Sequence, residues 1–532
     1  MKKKVFKGTA LLLTLASLAS CGGNSDTSSN SNDKPAPTEI VIYAGGSSEY
    51  SWSKGSEEAD AIRYIQDKYY EDTGRNLKFN ISYLGQDMKT KIQSTIASGG
   101  TIDICISHTK GGDGIDDYVL KNNLYRDITD DMYDYAPNLL EFINGEPKNS
   151  LTNDEGKVIG IPSNIDGKNY GILVRKDWMK ECGYTDDPSL VEQGYELVDN
   201  LETFEAMCLS MKQKYNLGHV ISGAVWDLEK VLTVGSYGNA GYFKYGFRDG
   251  KVVPGFCTEE YKKTIDLEYK WASQGIYSQE WQTISLEQGE TNFIGSKTGV
   301  FVLDPSIEHL IKVSRKCKSV NKDAEFAVLG ALTENKESTK KGFLKNSPAS
   351  FAACILNTSN KSRQIMQFVN WMYQSEENYN VCKYGIPGTH WVDNGDGTYS
   401  FPEGKESYLT NAPYSGILSL VENQARSGLT YKGYSDEEKG WISTAKDPRN
   451  YFENELNSYM WPMTNSQVNS AYSNAIAPVY GSCIEYWNAT APSSRTHDFD
   501  SEINTFMTSV NGKLYIDFIN QAYGVMKQLF GK

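Results

Sequence analysis

Between residues 39 and 107 short apolar runs alternate with amphipathic helical stretches, and that order leaves few folds open to the chain. EIVIYAGG (39–46) is an apolar run that stops at two glycines. EEADAIRYIQDKYYEDTG (57–74) sets Ile62, Ile65 and Tyr69 at helical spacing, with Gly74 as a C-terminal cap. LKFNISYL (77–84) alternates Leu77, Phe79, Ile81 and Tyr83 as a strand does. QDMKTKIQSTIASGG (86–100) places Met88, Ile92 and Ile96 on one helical face, and TIDICIS (101–107) is a third strand. Strand, helix, strand, helix, strand predicts an open parallel sheet with right-handed crossovers. Ligands bind beyond the carboxyl ends of such strands, which selects the loops 44–56 and 107–115. Trp52 in the first, and Ser107 and His108 in the second, are the candidate ligand contacts there.

The chain has 532 residues, more than one hydrophobic core usually supports, so two lobes are expected. Its net charge is −14, which argues against nucleic acid and against an electrostatically held membrane surface as partners. Past residue 21 the cysteines are 105, 182, 208, 257, 317, 354, 382 and 483, with no CxxC pair among them. They read as buried, reduced thiols, and the five scattered histidines show no zinc spacing.

The first residues carry an address. Lys2, Lys3, Lys4 and Lys7 precede an apolar stretch from Ala10 to Leu18, the charge and length of a secretory signal. Leu18-Ala19-Ser20-Cys21 resembles the lipobox of bacterial lipoproteins, in which the cysteine is diacylated and becomes the first mature residue. Two acyl chains anchor stably where one does not. Residues 22–37 are rich in Gly, Ser, Asn, Asp, Thr and Pro, the composition of a disordered tether. The expectation is a signal over 1–20, a lipidated Cys21 with tether over 21–37, and a body outside the cytoplasm held at a bacterial cell membrane by lipid alone.

DEGKVIGIPSNIDGKNYGILVRKDWMKECGY (154–184) carries the most specific signal. It resembles a signature of the extracellular solute-binding proteins of ABC transporters, in the LplA-like subgroup. YKKTIDLEYKWASQGIYSQEW (261–281), FIGSKTGVFV (293–302) and SRQIMQFVNWMYQSEENYNVCKYGIPGTHW (362–391) resemble further motifs of that family, in the same order. The resemblance implies an α/β, two-lobed periplasmic-binding-protein-like fold (type II), each lobe a mixed sheet flanked by helices. It implies an N-terminal lobe of 38–163 plus 325–390 and a C-terminal lobe of 164–324 plus 391–532. The chain then crosses near Pro162–Asn164, returns near 325 and crosses again around 390–400. The punctuation Gly160-Ile161-Pro162 agrees with the first crossing.

Motifs for catalysis and metal fail on inspection. DNGDGTYSF (393–401) puts glycine at positions 3 and 12 of a calcium loop, so it reads as hairpin turns. The segment 200–220, where several relatives hold calcium, lacks the ligands. GSKTG (295–299) is not framed as a phosphate loop, and no G-x-S-x-G elbow occurs. No cofactor and no metal are expected, and no catalysis. A sugar binder needs aromatic faces for pyranose C–H surfaces and planar polar groups for hydroxyls. Trp52, Trp226, Tyr237, Trp281 and Trp391 are the candidate platforms; Asn164, Asp166, Asn169 and Asp304 are the candidate hydrogen-bonding groups. Trp271 and Trp371 sit at helical spacing and are expected in the core. The reading is a monomeric, membrane-tethered protein that captures a carbohydrate, an oligosaccharide, between two lobes and delivers it to an ABC permease. The alternatives are a secreted lipoprotein glycoside hydrolase, a binding protein for a peptide or other solute, and a glycan-capturing outer-membrane lipoprotein, whose mostly helical architecture the opening pattern disfavours.

Overall fold

A computed structural model describes residues 34–530 apart from 46–55, 85–86, 109–114, 121, 154, 163–167, 239–240, 243, 346–350, 421–425, 453–455 and 457–465, and gives His108 by its backbone alone. Two sheets organise the chain. The first runs in the order Leu77–Tyr83, Thr38–Ala44, Ile104–His108, Phe351–Ile355, Ile161–Pro162. Its first three strands are parallel, as the opening alternation predicts, and Phe351–Ile355 is antiparallel to both of its neighbours. The crossovers are the helices Ser56–Thr73 and Met88–Ala97.

Period-two patterning gives this sheet two buried faces. Ile40, Ile42, Ile104, Ile106, Ala353 and Ile355 point to one core, shared with Ile65, Tyr69, Phe368 and Trp371. Cys105, Ala352 and Cys354 point to the other, against Met88 and Ile92. The helix Ser362–Gln374 covers the first face: Tyr69 meets Phe368 and Trp371 edge-on at 5.4 and 5.3 Å. The Trp371 indole donates to Asp72 at 2.8 Å, so its one polar atom is satisfied in the core.

The second sheet has the order Phe326–Leu329, Ile172–Arg175, Val300–Phe301, Ile221–Ser222. Ile172, Val174, Val300 and Ala327 face the larger core, which the helices Leu201–Tyr215, Glu259–Gln274, Ser466–Trp487 and Val510–Phe530 complete. Leu173, Phe301 and Phe326 face a smaller core under the helices Ile307–Val320 and Asp436–Lys446. The RKDW segment is a folding device at this sheet's edge. Arg175, 2% exposed, forks onto the Asp177 carboxylate and donates to Ser296 at 3.0 Å, with its guanidinium 4.5 Å over the Trp178 ring.

Two of the expected lobe boundaries move. Phe326–Leu329 pairs antiparallel with Ile172–Arg175 in the second sheet, and the chain rejoins the first sheet only at Phe351, later than 325. Residues 414–420 belong to the first lobe: Tyr414, Ile417, Leu418 and Leu420 lie in its core. Ser415 donates to the buried Glu58 from both its backbone and its hydroxyl, and Tyr83 donates to the same carboxylate at 2.7 Å. The physical reason is that an apolar run and a carboxylate anchor outweigh sequence order. The third crossing passes through a small sheet of Val392–Asp393, Thr398–Ser400 and Thr430–Tyr431, whose hairpin turn has Gly395 and Gly397 at positive φ. Its Tyr399 stacks toward Tyr384 of the first lobe at 4.8 Å, while Arg315 of the second lobe lies 5.9 Å from the Tyr431 and Tyr434 rings and forks onto Glu438 at 2.6 Å.

Candidate functional site

Topology decides which ends of the two sheets face each other. The chain passes from Pro162, ending a strand of the first sheet, to Ile172 in the second, and from Leu329 in the second to Phe351 in the first. Strands 221–222 and 300–301 are parallel, and 172–175 runs against them. The carboxyl ends of both sets of parallel strands therefore lie at the ends the connections join. That is the place where an open sheet offers a crevice.

On the first lobe this end holds Gly45 and Ser107. Ser107 is fully buried, and a Cβ at Gly45 would fall 2.7 Å from its hydroxyl and 2.4 Å from the Met88 sulfur. Only glycine allows that approach. His108 pairs with Phe351 through its backbone. Trp52, Asn164, Asp166 and Cys21 lie outside the described residues.

The second lobe's end gathers more. Trp226 and Asp227 open the short helix Val225–Leu228 after the strand 221–222. Asp304 follows the strand 300–301 with φ at +52°, an unusual conformation for a residue with a side chain, and its carboxylate accepts from the Ser306 backbone at 3.3 Å. Lys230 donates to Asp227 at 3.0 Å. Desolvation pushes the partly exposed Asp227 up first of all, while Lys230 beside it pulls it back. Lys230 is raised chiefly by Asp227, with Tyr170 and Asp304 adding to the field. Asn169 spends its backbone carbonyl on the Ile307 amide at 2.8 Å, tying the first connection to the start of the helix Ile307–Val320. Trp226 is half-buried and next in sequence to Asp227, whose carboxylate pairs with Lys230 and feels Asp304, so this stretch offers an indole, two carboxylates and an ammonium, groups that suit a ring bearing several hydroxyls.

Behind Trp226 stands an indole cluster. Trp487 meets Trp226 at 4.7 Å and Trp281 at 5.6 Å, and Trp281 meets Trp226 at 5.6 Å, all edge-to-face. Trp281, 4% exposed, is thus a wall behind Trp226 and not a second open platform. Tyr237 lies further along, its ring 5.5 Å beneath Lys263, and burial pushes its phenol up. Trp391 is no platform. It is 3% exposed, its indole donates to the Gly385 carbonyl at 3.0 Å, and it packs against Tyr384. The YGIPGTHW motif is a closed turn in which His390 accepts from the Ile386 amide at 3.2 Å, and a lone tryptophan after a turn gives no sign of that in the sequence. Trp271 and Trp371 are core residues, as their spacing predicts.

The sequence reading passed over Asp227, Lys230 and the buried acids Glu229 and Glu268. A charge pair three residues apart reads as a solvated helix face, and only the aromatic neighbour in SGAVW hinted otherwise. Among the described residues no group of histidine, cysteine, aspartate and glutamate could hold a metal ion, and no helix is long and apolar enough to cross a membrane.

Two lobes, each a mixed sheet between helices, joined by crossing connections: this is the type II periplasmic-binding-protein-like fold. It is similar over 93% of its length to the N-glycan transport solute binding protein NgtS of Streptococcus pneumoniae, with a TM-score of 0.64 and 14% identity over 99% of that chain. The alginate-binding protein AlgQ2 matches with a TM-score of 0.67 and 14% identity, over 92% of this chain and 98% of that one. In sequence it is 24% identical over 306 residues to the polygalacturonan/rhamnogalacturonan-binding protein YtcQ of Bacillus subtilis, and 24% identical over 308 residues to lipoprotein LipO of the same organism. Each match covers 56% of this chain, and the chain spans 58% and 55% of the length of those two relatives. No family model matches.

Proposed function

We propose that the protein is the solute-binding component of an ABC importer, capturing a carbohydrate between its lobes and presenting it to the permease. The observation that carries this reading is the stretch after the second sheet's strand 221–222, where Trp226 and Asp227 share a short helix and Asp227 pairs with Lys230 near Asp304. The indole takes the C–H face of a sugar ring, Asp227 and Asp304 accept from its hydroxyls, and Lys230 donates. Ser107 and His108, at a strand end of the first sheet, and Asn169, on the connection, are our further candidate contacts. Closure follows when the second lobe adds contacts that the open form lacks. The names of YtcQ, AlgQ2 and NgtS, which bind or transport glycans, support the ligand class, and all three are binding or transport proteins rather than enzymes. The name of LipO, with the leader and Cys21, supports a lipid anchor on the outer face of a membrane.

A thermal-shift screen against trigalacturonate, chitotriose, mannotriose and kestose tests the reading. A sugar at 100 times its Kd adds about 2.7 kcal/mol to stability. Trp226→Ala should abolish that shift. If none of the sugars moves the melting point while a peptide library does, the carbohydrate assignment falls; turnover of a sugar would make the protein a hydrolase instead. Separately, Cys21→Ser should move the protein from the membrane fraction to the medium without changing what it binds.

A further inference from the structure

Behind the Trp226 platform lie two carboxylic acids that ligand contact does not use. Glu229 is 4% and Glu268 is 0% exposed. Glu229 follows Trp226 by three residues and accepts from the Tyr261 hydroxyl at 2.6 Å and the Tyr242 amide at 3.0 Å. Glu268, on the helix Glu259–Gln274, accepts from the Trp487 indole at 2.8 Å, and its other oxygen, Oε1, has no partner among the described residues. That same Trp487 ring packs edge-on against Trp226 at 4.7 Å. Glu268 thus holds the residue that holds the platform.

We propose that Glu268 and Trp487 are positioning residues for Trp226, and that ionisation of the fully buried Glu268, whose Oε1 has no partner among the described residues, governs how firmly the platform is held. The inference rests on Trp226 being the sugar platform, as proposed above. Among the described residues, the groups that act on the two acids are Tyr261 on the Glu268 helix, Tyr242, Tyr277, Tyr237, and Cys483 and Trp487 on the helix Ser466–Trp487. Lys230 is the cation that acts on Glu229, and it is paired with Asp227. Anions in that apolar wall are costly, which favours the protonated acids. Burial is the first cause pushing both acids up, and for Glu268 the charge of Glu229 adds to it. When Glu268 ionises, the Trp487 bond strengthens but Oε1 becomes a bare anion in the apolar wall, so the side chain moves towards water, draws Trp487 with it and shifts the backing of Trp226.

The experiment has two arms. In the first, 5-fluorotryptophan is incorporated and the Trp226 fluorine resonance, assigned by its loss in Trp226→Phe, is followed from about pH 5.5 to about pH 9 without sugar. The resonance should shift with pH in the unaltered protein and stay still in Glu268→Gln, which keeps an acceptor for Trp487 but cannot ionise. Glu229→Gln is the second variant should Glu268→Gln fold poorly. In the second arm, whichever of trigalacturonate, chitotriose, mannotriose and kestose binds is titrated over the same range. Affinity should fall up to about tenfold per pH unit above the Glu268 pKa in the unaltered protein and less than about twofold in Glu268→Gln. A resonance that does not move, or that moves alike in both proteins, overturns the proposal. A moving resonance with no sugar bound upholds the positioning role and sinks the carbohydrate reading instead.

Discussion

Raising the pH should destabilise this protein through Glu229, and the size of the effect follows from its surroundings. Burial pushes its pKa from 4.5 to about 7, against the pull of the bonds from Tyr261 and Tyr242. The sign follows from linkage. Below about pH 4.5 both states hold the proton and no penalty exists. Between that value and about 7 the unfolded chain has released the proton and the native protein keeps it, so stability falls as pH rises, and above about 7 the loss is complete. A shift of this size at 1.36 kcal/mol per unit is a loss of about 3 kcal/mol. Glu268 is raised in the same direction and carries the decline to higher pH. Urea unfolding at several pH values between about 4.5 and about 8, for the unaltered protein and for Glu229→Gln, reads this directly. The difference between the two removes the background of the other carboxylates. The variant should lose about 3 kcal/mol less than the parent across the window. Parallel pH profiles would refute the reasoning, because the carboxyl would then be neither desolvated nor proton-holding in the native state.

Other outcomes follow from the packing. Trp391→Ala should cost about 3–5 kcal/mol as a core truncation, seen as a lower melting point of the sugar-free protein, with the affinity of the surviving fold unchanged. Gly385→Ala places a Cβ 2.4 Å from the His390 ring at a φ of +85°, and should cost more than about 1 kcal/mol by urea unfolding. Removing the guanidinium in Arg315→Met strands Glu438, whose side chain is 8% exposed, and should cost about 3 kcal/mol at neutral pH; a cost below about 1 kcal/mol would show that water reaches the carboxylate. Asp304→Asn should weaken sugar binding in calorimetry while leaving the melting point of the free protein within about 1 kcal/mol.

Period and punctuation were enough for the first lobe's frame. The alternation of Leu77 and Phe79, the glycine ends and the helical stripes of Ile62, Ile65 and Tyr69 state which face of each element is apolar, and the parallel strands formed where they predict. The lobe boundaries were less legible. Residues 406–420 were expected in the C-terminal lobe, and the contact of Ser415 with Glu58, 357 residues earlier, shows that they join the first. The aromatics were legible as a class and not one by one. Trp226, Trp281 and Trp391 look alike in sequence, yet one is half-buried, one packs edge-on behind it and one is sealed in a turn.

The sequence by itself determined the local order of strands and helices, and it shows a basic then apolar run ahead of Cys21 and no calcium-loop or phosphate-loop spacing. Tertiary structure alone decided that Glu268 is buried and that its partner is Trp487, 219 residues away. The reason is physical. Periodicity is set by the rise and turn of the backbone, so it can be read from neighbours; burial and proton affinity depend on what a distant segment lays over a side chain, and the local pattern carries no record of that segment.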